Sequence, residues 1–489
     1  MTRTWIAALC AAATLTGAAQ SRDISLDETI AIARTGSVEA AVALNELKTA
    51  YWEYRTFRAD LLPEVNFAAT LPSYRKNYSP YQTEDGSYTF VRNNVLEMSG
   101  NVSIDQSIWL TGGTLSLTTS LDYLRQLSGG GSDRFMSVPV ALTLNQPIFG
   151  TNHTKWNRRI EPVRYDEAKA AFMSATEEVA MKAVNYFFSL LMAKENLGTA
   201  RQNMANAEKL HTVAVAKRQM GQISENDLLQ LELNLLTARS TLTNTESDYK
   251  SAMFQLRSFL GMDESVELVP LLPERIPQAD VEYGDVLERA LERNSFARNI
   301  RRRQLEADYE VAKAKGDMRE VTLYAQVGFT GTAERFRGAY DPLKDNQVVE
   351  VGFKIPIVDW GKRRGKVKVA ESNRRVTESR LRQENMDFNQ NLFILVERYG
   401  NQRRQLEISR RADEIASKRY ATNVETFMIG KISTLDLNDS RARKDEARRD
   451  YINQLYLCWY YYYQLRSVTL WDYATSAPVT ADFDLLFRD

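Results

Sequence analysis

Two stretches decide the fold: Met220-Gly221-Gln222-Ile223-Ser224, followed by Asp227-Leu228, and Ile429-Gly430-Lys431-Ile432-Ser433, followed by Asp436-Leu437. Gly221 and Gly430, Ser224 and Ser433, and Asp227 and Asp436 are each 209 residues apart. The same offset links Pro147, in Asn145-Gln146-Pro147-Ile148-Phe149-Gly150, to Pro356, in Lys354-Ile355-Pro356-Ile357-Val358-Asp359-Trp360-Gly361. Coincident offsets over such a distance mark a tandem repeat. Each half has the same grammar: a helix, short strands, a Pro-Ile strand end, then an antiparallel helix pair bent at Gly. The first half is 20–269, with strands in 65–148 and a long helical hairpin over 151–262. The second is 270–475, with strands in 321–356 and a hairpin over 361–470. A tail, 476–489, follows.

Pro147 to Gly221 spans 74 positions, as does Pro356 to Gly430. Written as helix, either stretch is roughly 100 Å long, wider than any compact domain. The returning helix carries a heptad stripe. Leu228, Leu235, Leu242, Tyr249 and Leu256 fall seven apart, and Leu231, Ala238, Thr245, Ala252 and Phe259 fill the second seam position. A stripe held over four heptads predicts coiled-coil packing, and the small Ala and Thr residues allow close helix approach. The equivalent helix after Gly430 is less regular, with Lys444 on the seam.

Between the helices the period becomes two. Val102, Ile104 and Ile108 alternate with polar residues, as do Val138, Val140, Leu142 and Leu144. So do Val321, Leu323, Ala325, Val327 and Phe329, and Val349, Val351, Phe353 and Ile355. Six strands are predicted: Val65–Leu71, Leu96–Leu110, Thr114–Leu121 and Ser137–Ile148 in the first half, Val321–Thr330 and Val348–Ile355 in the second. Alternation alone fits either an amphipathic soluble sheet or a membrane barrel with lipid outside and water inside.

The N-terminus bears on that choice. Arg3, the apolar run Trp5 to Leu15 and Gly17-Ala18-Ala19 read as an export signal, 1–19, with a small-x-small cleavage site. Export and the ~10-residue strand length favour the barrel. Six strands are too few to close a membrane barrel, for which eight is the usual minimum, and open edges cannot sit in lipid. Several chains must then share one barrel.

Composition excludes other classes. Of 489 residues, 63 are Lys or Arg and 63 Asp or Glu, so the chain lacks the positive field of a nucleic-acid binder. Charged residues make up 26%, and no run of ~18 apolar residues follows residue 20, unlike a polytopic helical membrane protein. Cleavage after Ala19 removes Cys10 and leaves Cys458 alone, so no internal disulfide is expected. His153 and His211 lie far apart without a ligand pattern, and no metal or cofactor is expected. Gly129-Gly130-Gly131 lacks the Lys-Ser/Thr of a phosphate loop and reads as a strand connection. Arg301-Arg302-Arg303 and Lys362-Arg363-Arg364 read as solvated helix faces. Trp459 to Tyr463 reads as an aromatic surface or a packing seam on the last helix, with packing favoured. No nucleophile, base and orienter can be named, so the chain does not read as an enzyme.

The export signal, the repeat, the two hairpins and the barrel strands together resemble the TolC-type outer-membrane efflux channels. The resemblance spans about 24–470. It rests on the Ser25-Leu26-Asp27-Glu28-Thr29-Ile30-Ala31 opening, the Gln-Pro-Ile and Ile-Pro-Ile strand ends and the paired Gly-x-Ile-Ser tips. It implies a mainly α fold with a β-barrel part: long antiparallel coiled-coil helices forming an α-barrel tunnel, and a transmembrane β-barrel shared between three chains. It further implies a homotrimer in the outer-membrane lipid with a large periplasmic portion. The trimer would meet a periplasmic adaptor and an inner-membrane transporter of RND or ABC type, and conduct substrates passively in efflux or type I secretion. A periplasmic coiled-coil adaptor with a soluble β-domain is the alternative, although adaptors usually have one hairpin. The family has four strands per chain. The hairpin around Thr111-Gly112-Gly113 is extra, leaving a barrel of twelve strands or up to eighteen, or 47 added positions in a long extracellular loop.

The resemblance also places acidic residues at a periplasmic entrance: Asp436 and Asp439, with Asp227 at the matching site of the first repeat. Carboxylates three apart share a helix face, and a ring of Asp favours cations. Ser224-x-x-Asp227 and Ser433-x-x-Asp436 equally read as helix caps, so both readings stay open for Asp227 and Asp436. Asp439 lies beyond the first turn, where capping explains it poorly. The position at which the family can place an entrance-locking Arg is Ile432, so a latch of that form is not expected. The tips Gly221, Gln222, Ile223 and Ser224, and Gly430, Lys431, Ile432 and Ser433, match where the family meets its adaptor; on their own residues they read as plain helix turns.

Overall fold

The computed structural model describes residues 21–127, 131–263, 265–273, 276–277, 279–319, 321–353, 358–429 and 431–487. The export segment, Gly129, Gly130, the strand end 354–357 and Gly430 lie outside them. In chain order the elements are β1 (Ser21–Ile24), α1 (Leu26–Gly36), α2 (Val38–Ala59), β2 (Glu64–Gln82), β3 (Tyr88–Ile108), β4 (Gly113–Gln126), β5 (Ser132–Pro147), α3 (His153–Gln219) and α4 (Glu225–Leu260). Then come β6 (Glu267–Pro270), α5 (Tyr283–Arg293), α6 (Ser295–Gly316), β7 (Val321–Ala333), β8 (Lys344–Phe353), α7 (Lys362–Met428), α8 (Thr434–Thr469), β9 (Trp471–Asp472), β10 (Ala477–Pro478) and α9 (Phe483–Leu486).

Helices α3 and α7 have 67 residues each and α4 and α8 have 36 each, and the second pair begins 209 positions after the first. Helices α5 and α6 match α1 and α2 in length but begin 257 positions later. The offset therefore falls by 48 across the strands, where the first half has four and the second two. The chain packs as two compact units that cut across the sequence halves. One comprises Met1–Leu47, Lys169–Ser295 and Asp387–Asp489, the other Lys48–Ala168 and Phe296–Met386.

The second unit holds one antiparallel sheet of six strands, in the order β2-β3-β4-β5-β7-β8. All six expected strands are present. The extra positions of the first half are strands, not a long loop, because β3 returns directly into β4. That turn needs its glycines. Gly112 has φ +78°, and a Cβ on Gly113 would lie 2.9 Å from the Asn145 carbonyl oxygen. The neighbouring groups hold the turn: Asn152 donates to the Trp109 carbonyl at 2.9 Å and Gln146 to the Thr111 carbonyl at 3.1 Å.

Register gives the sheet two faces. Phe67 opposes Val102, Ile104 opposes Leu117, Leu117 opposes Leu142, Leu142 opposes Val327 and Ala325 opposes Val349. On the other face Asn66 opposes Ser103, Ser103 opposes Thr118, Thr143 opposes Gln326 and Tyr324 opposes Glu350. The apolar face is open, with Phe67 and Val349 about three-quarters exposed. Register shifts fall between Thr70 and Ser73 on β2 and between Ser137 and Val140 on β5, and each bracket holds a proline, Pro72 or Pro139. Proline has no N–H for the ladder, so within a strand it belongs at a bulge. The β5 bulge corrects one expectation. Val138 pairs with Ser120 and so lies on the polar face, away from Val140, Leu142 and Leu144, because one inserted residue inverts the side-chain parity beyond it.

In this unit Arg302 and Arg303 also depart from a solvated face, while Arg301 is exposed as expected. Arg302 binds Glu167 at 2.7 Å and Glu306 at 2.9 Å, and Arg303 binds Glu384 at 2.6 Å. The hydrogen bonds to Glu167 push the Arg302 pKa up. The run sits where α6 meets the starts of α3 and α7, so the charges of Arg302 and Arg303 find carboxylates on neighbouring helices rather than water. His153 lies 2.6 Å from the Tyr309 hydroxyl.

The first unit has the main core. Phe187, Leu190 and Leu191 of α3, Leu256 of α4, Ile24 of β1, Leu268 of β6, and Ile452, Leu455 and Leu465 of α8 are fully buried. None of the ten heptad seam residues of α4 is exposed, whereas Leu229, Leu233 and Leu236 beside them are. Trp459 to Tyr463 packs as expected, with Tyr462 and Tyr463 buried. Burial pushes the Cys458 thiol up to about 12. At the heart of the unit Glu177, with a side chain 1% exposed, accepts from Arg34 at 2.6 Å and from Arg466 at 3.3 Å. Arg466 also meets Asp472 at 3.1 Å and lies over the Tyr463 ring. One carboxylate thus ties α1 and α3 to the end of α8. Removing one member of a buried pair leaves an unmatched charge, at a cost of about 3 kcal/mol. Glu177→Ala should lower the thermal midpoint of the detergent-extracted protein by several degrees, and unchanged melting would refute this role.

Candidate functional site

Both expected tips lie in the first unit, and both are built from backbone requirements. At the end of α3, Gln222 N–H reaches the Lys217 carbonyl at 2.8 Å and Gly221 N–H the Arg218 carbonyl at 2.9 Å. That double bond is a Schellman closure and puts Gly221 at φ +70°, where glycine is favoured. At the end of α7, Lys431 N–H reaches the Thr426 carbonyl at 3.1 Å, the equivalent bond. Gly430, its expected pivot, lies outside the described residues.

Each second helix then starts with a complete capping box. Asp227 N–H donates to Ser224 Oγ at 3.1 Å, and Ser224 N–H donates back to the Asp227 carboxylate at 3.3 Å. Asp436 N–H and Ser433 Oγ are also 3.1 Å apart, with the return bond at 3.4 Å. Both aspartates therefore cap. The Ser433 hydroxyl and N–H, with Arg419 nearby, hold the Asp436 carboxyl below its ordinary range. A depressed pKa contributes to α8 above the usual carboxylate range and is lost as the pH falls through the lowered value.

Asp439 differs. It lies one turn further along α8, half exposed, and binds Arg419 of α7 at 3.0 Å and Arg443 at 3.7 Å. Arg443 was legible as an i,i+4 partner. Arg419 was missed because its proximity exists only after the hairpin folds: it stands 11 residues before Gly430 and Asp439 nine after. Around the tips Met220, Ile429 and Leu435 are each more than 60% exposed. Gln222 and Lys431 are exposed, and Ile223 and Ile432 half-buried.

Among the described residues no helix is long and apolar enough to cross a membrane. The outer membrane efflux protein family matches residues 30–262 and 291–465, and the chain belongs to that family. Membership of an outer membrane efflux family decides against the soluble adaptor expectation. The chain is 22% identical over 264 residues to Protein CyaE of Bordetella pertussis, covering 53% of this chain and 55% of that one. The match thus spans about half the length of the curated relative. In fold the chain is similar to a membrane protein from Pseudomonas aeruginosa (TM-score 0.66, 14% identity, 94% of this chain and 92% of that chain). It is likewise similar to the CmeC outer membrane channel of Campylobacter jejuni (TM-score 0.65, 15% identity, 94% and 88%).

The tips permit one separation of roles. Ser433→Ala removes a cap worth about 1 kcal/mol, so amide exchange in the first turn of α8 should accelerate severalfold. Asp439→Asn should leave that turn's exchange unchanged. Faster exchange in Asp439→Asn instead would mean that this carboxylate, too, only holds the helix.

Proposed function

We propose that three copies of this chain form one passive duct from the periplasm to the outside. The observation that carries the reading is the sheet. Its apolar face is open, its other face is mostly polar, and among the described residues its order ends at β2 and β8 without closing. A barrel shared between chains gives that apolar face lipid and those edges partners. In this reading α3, α4, α7 and α8 form the tunnel wall. Residues 1–19 are the cleaved export signal, 20–269 and 270–475 the structural repeats, and 476–489 the tail.

The tips then face the cell interior. Gly221 to Ser224 and Gly430 to Ser433, flanked by the exposed Met220, Ile429 and Leu435, would dock a periplasmic adaptor. That adaptor would link the duct to an inner-membrane transporter of RND or ABC type. Asp436, Asp439 and Asp227 would ring the entrance. The cargo would be chosen by the transporter.

The entrance charge is testable. At the second tip Asp439 binds Arg419 and Arg443, and Arg443 also meets Glu446 at 3.2 Å, so neutralising both aspartates removes the carboxylate that offsets Arg419 and raises the net positive charge there. Asp436→Asn with Asp439→Asn should shift the reversal potential in planar bilayers under a salt gradient toward anions and weaken block by multivalent cations. An unchanged reversal potential and block would show that these carboxylates do not line the path. Native mass spectrometry of the detergent-extracted protein should give a trimer, and a stable monomer would overturn the shared duct.

A further inference from the structure

We infer that the shared barrel has eighteen strands, all six from each chain, with a water-filled lumen; the inference rests on the three-copy reading above. Four features of the sheet carry it. Its pairing is unbroken: β3 pairs with β4 from Val95 to Ile108, and β4 with β5 from Thr114 to Gln126 apart from one bulge. The β2–β3 hairpin is therefore hydrogen-bonded into the wall and is not an appendage beside it. The apolar face includes that hairpin, since Val65 and Phe67 share a face with Ile104, Leu117 and Leu142. Apolar side chains so aligned have no reason to be exposed unless the hairpin stands in lipid with the rest.

The edges supply the third feature. Among the described residues β2 pairs only with β3 and β8 only with β7. With six antiparallel strands, β2 and β8 run in opposite directions. The β8 of one copy can then pair antiparallel with the β2 of the next, and the same joint repeats around a ring. Two of the strands cannot be left out without exposing a paired edge. Fourth, the inward face is mostly polar, with Asn66, Ser103, Thr118, Thr143 and Gln326 along it and apolar residues such as Val138 and Val348 in the minority. Barrel diameter grows roughly in proportion to strand number, and barrels of about 16–18 strands keep an aqueous channel. The membrane outlet is thus wide enough for polymer-sized hydrated cargo, such as an extended polypeptide.

The test combines assembly, strand count and facing. The full mature chain is extracted, its mass taken in the native state, and its barrel imaged by electron microscopy in lipid nanodiscs. Phe67→Arg and Asn66→Arg are compared for the amount of protein assembled in the outer-membrane fraction. A trimer with eighteen strands is expected. Phe67→Arg should lower assembly by at least about tenfold because it puts a cation in lipid, and Asn66→Arg should change it little. A trimer whose wall has twelve strands, with β2–β3 outside it, overturns the inference while leaving the shared duct intact. Equal tolerance of both substitutions also overturns it. A complex of another copy number overturns the three-copy reading first, and the count of eighteen with it.

Discussion

A strand whose side chains alternate between apolar and polar must keep each set in its own surroundings, and the sheet meets that constraint across all six strands. Register is what enforces it, since a slip of one residue would exchange the faces completely. The two prolines show how closely the sequence is fitted to this. Pro72 and Pro139 would each break a ladder bond in a regular strand, yet both sit where the register shifts. On β2 the extra residue moves the outer face from Val65 and Phe67 to Tyr74 and Tyr78, which pair with Leu96 and Arg92. The bulge therefore keeps aromatic side chains on the outer face through a change of parity, there interleaved with Lys76, Asn94 and Arg92.

The helical unit solves a different problem. Long helices with an apolar seam also carry many charges, and a charge facing a neighbour must be matched. Lys444 stands on the seam, but its amine lies 4.9 Å from the Tyr420 ring and 3.1 Å from Asp445. Arg448 bridges Glu195 of α3 and Asp413 of α7 at 2.7 and 3.2 Å. Glu177 does the same work nearer the core. These layers fix which helix meets which and at what height, while the apolar seam alone would permit sliding by a heptad.

Much of this was legible in the sequence because it is local. The hairpins read as 151–262 and 361–470 are helices from His153 to Leu260 and from Lys362 to Thr469. Glycine, capping serine and period all act within a few residues. What escaped reading depends on contacts far apart in the chain. The flip of Val138 depends on which residue of β4 it meets, and the engagement of Arg302 depends on Glu167, 135 positions away. The two compact units also escaped, since a repeat in sequence says nothing of which halves pack together.

The tips show where the repeat was free to diverge. Turn geometry requires a residue tolerant of positive φ, a capping hydroxyl and an acid three residues on, and both tips have all three: Gly221, Ser224 and Asp227, then Gly430, Ser433 and Asp436. Their retention follows from the turn itself and says nothing about a pore. The ion cluster is different. Arg419, Asp439 and Arg443 have Leu210, Gln230 and Asn234 at the matching positions, so the first tip has no such cluster. Nothing in the helix turn demands it, because Asp439 lies beyond the cap. A half-exposed carboxylate held by two guanidiniums adds little stability, so its presence at one tip only points to electrostatics at the second hairpin. The divergent residue, not the repeated one, is therefore the better candidate for function.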